Sequence, residues 1–324
     1  MESKSANLNR KNVLVTGGTG FVGSHLVEQL LRKGATVITT YKSLNPSSYF
    51  MTQELDKKTL MAPVDIVEYE KLFDLITKFE IDFIFHLAAQ PLVETAYYNP
   101  RRTLDSNIRG TINVLESARQ YPRIKGVIFA SSDKAYGKSK LGEKYIESDP
   151  LRGDHPYEVS KSAADLIVSS YFKTYGVPVV TTRFGNIYGE GDLNYSRIIP
   201  GIMKSIIDNE DFEIRSDGTY VRDYLYVKDV VQGYLMLAEH IDEMKGEVFN
   251  FGSEDTMSVF EVIRVVETSI GKKVPFKILN QVKNEIPYQS LDYNKSRKQL
   301  NWEPQNSLLS IAKNILHWYQ FRLR

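Results

Sequence analysis

The 324-residue chain contains no cysteine. Disulfides, thiolate nucleophiles and thiolate metal ligands are therefore excluded. Its five histidines are scattered, so no zinc site is expected. No apolar run reaches the roughly 18 residues that span a bilayer. Residues 1–10 are polar and lack the apolar centre of a signal peptide. Excess charge is missing too: 41 Lys and Arg stand against 40 Asp and Glu, a formal net charge of +1. So balanced a chain argues against nucleic acid as a partner. It has no internal repeat and no low-complexity segment. These absences predict a soluble cytoplasmic protein without membrane, nucleic-acid or metal partners.

What is present is an ordinary globular composition, 42% hydrophobic and 25% charged, long enough for one large domain or two. KNVLVT at 11–16 reads as a strand, followed by a glycine-rich turn and an apolar helical spacing at 24–33. Strands are expected again at 35–40, 82–87, 126–130 and 177–183. Helices are expected at 67–79, 105–120 and 157–175, and loop with some helix at 42–59. This alternation predicts an α/β fold, a doubly wound parallel sheet covered on both faces. From about residue 186 the pattern changes, with helices at 197–209, 230–240, 258–270 and 308–322. The expected division is a dinucleotide-binding domain at 1–183 with a return segment near 225–250, and a smaller interleaved α/β lobe at 184–324.

Three segments carry chemistry. Gly17, Gly20 and Gly23 in GGTGFVG sit between a strand and a helix. The first two let the backbone approach a pyrophosphate, and Gly23 lets the helix pack close to the sheet. At the end of the second strand, where an acidic residue would bond the ribose of NAD, stand Tyr41 and Lys42. Lys42 reads either as a contact for the 2′-phosphate of NADP or as a solvated surface lysine. Asp65 and Ile66 fall where adenine contacts would follow the third strand. Next, FASSDKAYG ends a strand in Ser132, Asp133 and Lys134. Finally, Tyr157 and Lys161, 25 and 29 residues beyond Ser132, share one helix face. The ammonium favours the phenolate, so Tyr157 can take a proton from a substrate hydroxyl. Alcohol oxidation needs Ser132, Tyr157 and Lys161. The added carboxylate and ammonium of Asp133 and Lys134 point to a second chemical step.

TGGTGFVGSH, FHLAAQ, SNIRGTINVLE, SSDKAYG, YEVSKSAAD, RFGNIYG, RDYLYVKDVV and LDYNKSRKQLNWEP together resemble the extended short-chain dehydrogenase/reductase family, the NAD-dependent epimerases and dehydratases of nucleotide sugars. The resemblance covers nearly the whole chain. Ser132-Asp133-Lys134 looks like the Ser/Thr-Asp-Lys of CDP-glucose 4,6-dehydratases, and HLAAQPLV and GDLNYSRIIP are similar to that subgroup too. The chain departs from it in Gly-Gly-Thr for Gly-His-Thr at the turn, in a short segment after Gly137, and in GTYVRDY, which follows the general epimerase pattern.

The resemblance implies a Rossmann fold and a tightly bound NAD or NADP. Its contacts would be Gly17, Gly20, Phe21, Val22, Gly23, Tyr41, Lys42, Asp65, Ile66, Leu87, Ala88, Ala89, Asn107, Tyr157 and Lys161. A nucleotide-diphosphate sugar would be held by Gln90, Ser132, Asn186, Arg197 and Arg222. It implies a homodimer packed through 104–120 and 157–175. Expected activity is 4,6-dehydration: transient oxidation at C4, loss of water across C5–C6 with Lys134 as base and Asp133 as acid, and hydride return to C6. The Lys134 base needs its pKa lowered from about 10.4, at roughly 4–5 kcal/mol for a neutral amine at pH 7. A Lys134–Asp133 ion pair would oppose that shift. A 4-epimerase using Ser132, Tyr157 and Lys161 alone, and a cofactor-sensing protein without catalysis, are the alternatives.

Overall fold

The computed structural model describes residues 7–138, 142–281 and 286–323. Strand β1 (Asn12–Thr16) is buried from its second residue and runs into the glycine turn that opens α1 (Phe21–Arg32). Next come β2 (Thr36–Thr40), α2 (Tyr49–Thr52), β3 (Leu60–Ala62), α3 (Tyr69–Lys78) and β4 (Phe83–His86). The polar stretch expected as loop with some helix contains α2, started by Ser48, whose side chain accepts from the Met51 N–H.

The helix expected at 105–120 is present, but its first turn is π-helical and short helices precede it. Here α4 (Val93–Tyr98) and α5 (Pro100–Leu104) lead into a π-helical stretch at Asp105–Arg109, and α6 (Gly110–Gln120) follows. Asn99 caps α5 by accepting from Arg102 N, with Pro100 at the first position. The π stretch adds a residue to one turn and buries Asn107 to 2% exposure.

Beyond β5 (Gly126–Ala130), a 3-10 turn at Asp133–Tyr136 precedes α7 (Pro156–Tyr175). A capping box of His155 and Glu158 with Pro156 starts α7, and Gly176, at φ 69°, ends it. The rest are β6 (Val179–Phe184), β7 (Asn186–Tyr188), α8 (Ile198–Asp208), β8 (Phe212–Ile214), β9 (Val221–Tyr226), α9 (Val227–Glu239), α10 (Ile241–Met244), β10 (Val248–Phe251), β11 (Thr256–Ser258), α11 (Val259–Ile270), β12 (Phe276–Ile278), β13 (Tyr288–Gln289), α12 (Asn294–Leu300) and α13 (Leu308–Leu323).

Seven strands form one sheet in the order β10-β6-β5-β4-β1-β2-β3. From β3 through β6 neighbouring strands pair in parallel. Strands covered on both faces need continuous apolar sequence, and β4 and β5 supply it with FIFH and GVIFA. Leu14, Ile84, Val127 and Phe129 pack with Leu72 and Ile76 of α3, Val114 of α6 and Val168 of α7. Trimming one such side chain, as in Ile84→Ala, costs about 2–5 kcal/mol. The strand order reverses between β1 and β4, and doubly wound sheets bind ligands beyond the carboxyl ends of such strands.

The chain divides into two compact units, each assembled from separate segments. The first comprises residues 1–137, 147–183 and 231–249, and holds strands β1 to β5 of the sheet just described. The second comprises residues 138–146, 184–230 and 250–324. Within it β9 pairs with β7, β11 and β13, while β8 pairs with β12. Its aromatic core stacks Phe184 on Phe251 at 4.6 Å, with Trp302 edge-on to Phe251. No helix among the described residues is long and apolar enough to cross a membrane.

Candidate active site

The glycine turn is a cradle that side chains would fill. At Gly17 (φ 76°) a Cβ would lie 2.8 Å from Ala88 N, and at Gly23 one would lie 2.1 Å from the Gly17 carbonyl oxygen. Gly20 gives α1 no side-chain cap, which leaves the first-turn N–H groups of Phe21 and Val22 available to an anion. This backbone fits a dinucleotide pyrophosphate. Leu87, Ala88 and Ala89 are half-buried in the loop after β4, across the switch point from the turn. Ile66 is buried beneath Gly110.

Lys42 and Asp65, read separately in the sequence, form one ion pair at 2.5 Å. Tyr41 is tied to β3 through its N–H, which donates to the Ala62 carbonyl. A cavity of about 340 Å³ beside Lys42 is lined by Arg101, Arg102, Arg109 and Asp105.

At the end of β5 the polar cluster closes on itself. Ser132 caps the 3-10 turn: its Oγ accepts from Lys134 N at 3.2 Å and donates to Asp133 Oδ1 at 3.0 Å. Lys134 Nζ lies 3.5 Å from Asp133 Oδ2. Asp133 is buried, and the Lys134 side chain is 20% exposed. The pairing expected to oppose the acid and base roles is therefore present. The turn needs Gly137 at φ 71°, where a Cβ would collide with the Arg152 carbonyl.

Tyr157 and Lys161 occupy the first turns of α7, both buried. Lys161 Nζ donates to the Ala130 carbonyl at 2.8 Å, which anchors α7 to the end of β5. Burial pulls its pKa down to about 8, against the opposing pull of Asp165. Ser162 adds a second anchor, its Oγ donating to the Ala135 carbonyl at 2.8 Å.

A glycine turn at a switch point, a Tyr–Lys pair on α7 and a Ser-Asp-Lys cluster at the end of β5 thus occur in one unit. Residues 13–252 match the NAD dependent epimerase/dehydratase family. The chain belongs to that family. It is 31% identical to the CDP-glucose 4,6-dehydratase of Salmonella typhimurium over 331 residues, covering 97% of this chain and 92% of that protein. It is 30% identical to the UDP-glucuronate 4-epimerase of Thermodesulfobacterium geofontis, covering 94% and 95%. Its fold matches the crystal structure of dTDP-glucose 4,6-dehydratase from Bacillus anthracis in complex with NAD, with a TM-score of 0.85, 27% identity and coverage of 96% and 97%. Nucleotide-sugar chemistry with a nicotinamide cofactor is thus the business of this family, and both dehydratases and 4-epimerases resemble the chain to the same degree.

The other expected contacts of the family member fall as follows. Asn107 holds the segment after β4: Gln90 N donates to Asn107 Oδ1 at 2.7 Å, and Asn107 Nδ2 donates to the Gln90 carbonyl at 3.2 Å. The Gln90 side chain is satisfied with its nitrogen donating to Thr103 Oγ1 and to the Leu92 carbonyl, both at 3.1 Å. In the second unit Arg222 is buried on β9 and donates from Nη1 to the Val221 carbonyl. Arg197 pairs with Asp192 at 3.0 Å, and Asn186 lies opposite Tyr224 on β7.

Sequence reasoning missed the groups that brace the site. Arg183, at the end of β6, makes a two-pronged pair with Asp165 of α7 at 2.8 and 2.9 Å and donates to Tyr136 Oη at 2.7 Å. It thereby ties β6, α7 and the Ser132 turn together. Both charged side chains are 4% exposed. Each stands inside a quoted motif, RFGNIYG or SAAD, so the signal was a charge in otherwise apolar surroundings.

Proposed function

We propose that this family member is a nucleotide-diphosphate-hexose 4,6-dehydratase. The observation that carries the reading is the buried Asp133 paired with Lys134 directly after Ser132. A bound nicotinamide supplies a reversible hydride acceptor. Phe21, Val22 and the backbone around Gly17 would hold its pyrophosphate, and Ala88, Ala89 and Asn107 would border it. Tyr157 takes the proton of the sugar 4-hydroxyl, helped by the Lys161 cation. The 4-ketone acidifies the C5 hydrogen. Lys134 removes that proton, and Asp133 gives one to the departing 6-hydroxyl, which leaves as water.

The ion pair opposes these roles as it stands and must exchange a proton before they can operate. Moving one proton across the 3.5 Å gap, from Lys134 to Asp133, yields a neutral amine and a neutral carboxylic acid. That is the required base and the required acid. In water the transfer opposes a gap of about 6.5 pKa units, or roughly 9 kcal/mol.

A second reading, 4-epimerisation, is favoured if the same pair stays ionic and serves as a brace. Substrate labelled with deuterium at C4 separates the two: dehydration delivers the label to C6, and epimerisation keeps it at C4. Label retained at C4 in a C4-inverted sugar overturns the proposal.

We read Arg222, Arg197 and Asn186 as contacts for the substrate diphosphate or sugar, since a guanidinium fork matches phosphate oxygens. The cofactor is NAD by likeness to relatives. Lys42, with Arg101, Arg102 and Arg109 around the adjoining cavity, supports NADP instead. Asp65 opposes that choice by engaging Lys42. A homodimer through α6 and α7 is supported by Val159 and Leu166, 38% and 60% exposed on α7.

A further inference from the structure

Between the loop after β4 and the catalytic end of α7, the polar side chains form one chain of hydrogen bonds whose direction is fixed by counting donors. Thr111 Oγ1 lies 2.7 Å from the Asn107 carbonyl, which can only accept, so the Thr111 proton is spent there. Toward His86 Nε2, at 3.0 Å, the Thr111 oxygen must then accept. His86 is completely enclosed, and burial, helped by the Lys161 cation, holds its pKa near 3, so the ring is neutral. With its hydrogen on Nε2, Nδ1 is an acceptor, and it takes the Thr16 hydroxyl proton at 2.8 Å. The Thr16 oxygen in turn receives the Ala88 N–H at 3.3 Å. At the other end Asn107 Nδ2 donates to Ser160 Oγ at 2.8 Å, and Ser160 donates to the Tyr157 carbonyl at 2.6 Å.

We infer that His86, locked as its Nε2–H tautomer, is a positioning residue that sets the first turn of α7, and with it Tyr157, against the Ala88 backbone. Its neighbours leave no other route: β1 brings Thr16 to His86 by register, and the π stretch turns Asn107 inward beside Thr111. A metal-ligand or acid–base role does not suit a ring with both nitrogens already engaged. The catalytic consequence rests on reading Tyr157 as the proton acceptor; the geometry of the chain does not.

The test uses the full chain with Thr16→Val, His86→Leu and Thr111→Val, each of which severs the chain, and Thr16→Ser and Thr111→Ser, which keep it. Nitrogen-15 NMR of labelled histidine should show one of the five rings as a neutral Nε2–H form that does not titrate between pH 5 and 8. Amide hydrogen exchange at Ala88 and Gln90 should quicken in all three severed variants. With a nucleotide sugar, cofactor reduction should slow about tenfold, the size of one lost hydrogen bond, at unchanged KM. Paired severed variants should be no slower than single ones, because the chain is already broken, and the serine variants should retain the wild-type rate. An Nδ1–H or charged His86, or unchanged exchange at Ala88 and Gln90 in Thr111→Val, overturns the inference. So do rate losses that multiply. A wild-type protein inert to every nucleotide sugar, with the tautomer and exchange results as expected, would sink the reading of Tyr157 and leave the positioning role intact.

Discussion

Raising the pH above 8 should switch this protein off without unfolding it. Lys161 is 6% exposed, and desolvation brings its pKa to about 8 from the ordinary 10.5. At pH 7 about ten molecules carry the cation for each that does not; at pH 9 the ratio inverts. If Tyr157 acts as proposed, its phenolate needs that cation, so kcat/KM should hold to about pH 7.5 and then fall about tenfold per unit beyond 8. Stability moves the other way. Between pH 8 and 10.5 the unfolded chain holds the lysine proton and the folded chain does not, so this group makes folding more favourable as pH rises. The full span, about 2.5 units, corresponds to roughly 3 kcal/mol. Steady-state rates and urea unfolding across pH 6–10 measure both slopes. Lys161→Arg, whose guanidinium stays charged, should lose the descending limb whatever rate it retains. Activity that stays level to pH 10, or a decline with the same midpoint in the arginine variant, refutes the reasoning.

Lys134→Met should lower formation of the 4-keto-6-deoxy product by about 10²–10⁴, the range for losing a general base, while initial cofactor reduction persists; a wild-type rate of product formation removes the base assignment. Gly17→Ala should abolish dinucleotide binding in a fluorescence titration, because its Cβ would sit 2.8 Å from Ala88 N in a backbone at φ 76°. Arg183→Met should cost about 3–5 kcal/mol in denaturant unfolding, because it leaves the Asp165 carboxylate buried and unpaired; a loss below 1 kcal/mol would show that the pair is not a brace.

The sheet was legible because its strands are short continuous apolar runs between helical spacings, a pattern few other folds produce. The glycine turn was legible because three glycines at fixed spacing between a strand and a helix mark a backbone approach that side chains would block. The Lys42–Asp65 pair was readable in principle: each residue follows the carboxyl end of its strand, and β2 lies beside β3 with Thr40 opposite Ala62. Strand order was the missing step. The π stretch at Asp105–Arg109 could not be told from a helix by apolar spacing, and its inward residue, Asn107, finds its partner Ser160 on another helix, 53 positions away. His86 was unreadable for the same reason. A lone histidine on an apolar strand is ambiguous until register places Thr16 on one side of it and α6 places Thr111 on the other.

In the proposed reading much of this site serves oxidation at C4, which epimerases and dehydratases share. Tyr157, Lys161, the His86 chain and the Arg183 brace would all serve either reaction. The difference must therefore lie in what happens to the ketone, and that rests on two adjacent side chains at the end of β5. Only one charge of that pair, the Asp133 carboxylate, is held out of water beside Ser132, while Lys134 stays part-exposed. At 3.5 Å the Asp133–Lys134 contact is a loose one, longer than a good charged hydrogen bond. A structural brace is better built as Arg183–Asp165 is, with two bonds under 3 Å. A loose contact suits an acid and a base that must each reach the substrate, and that is the ground on which we propose dehydration ahead of epimerisation.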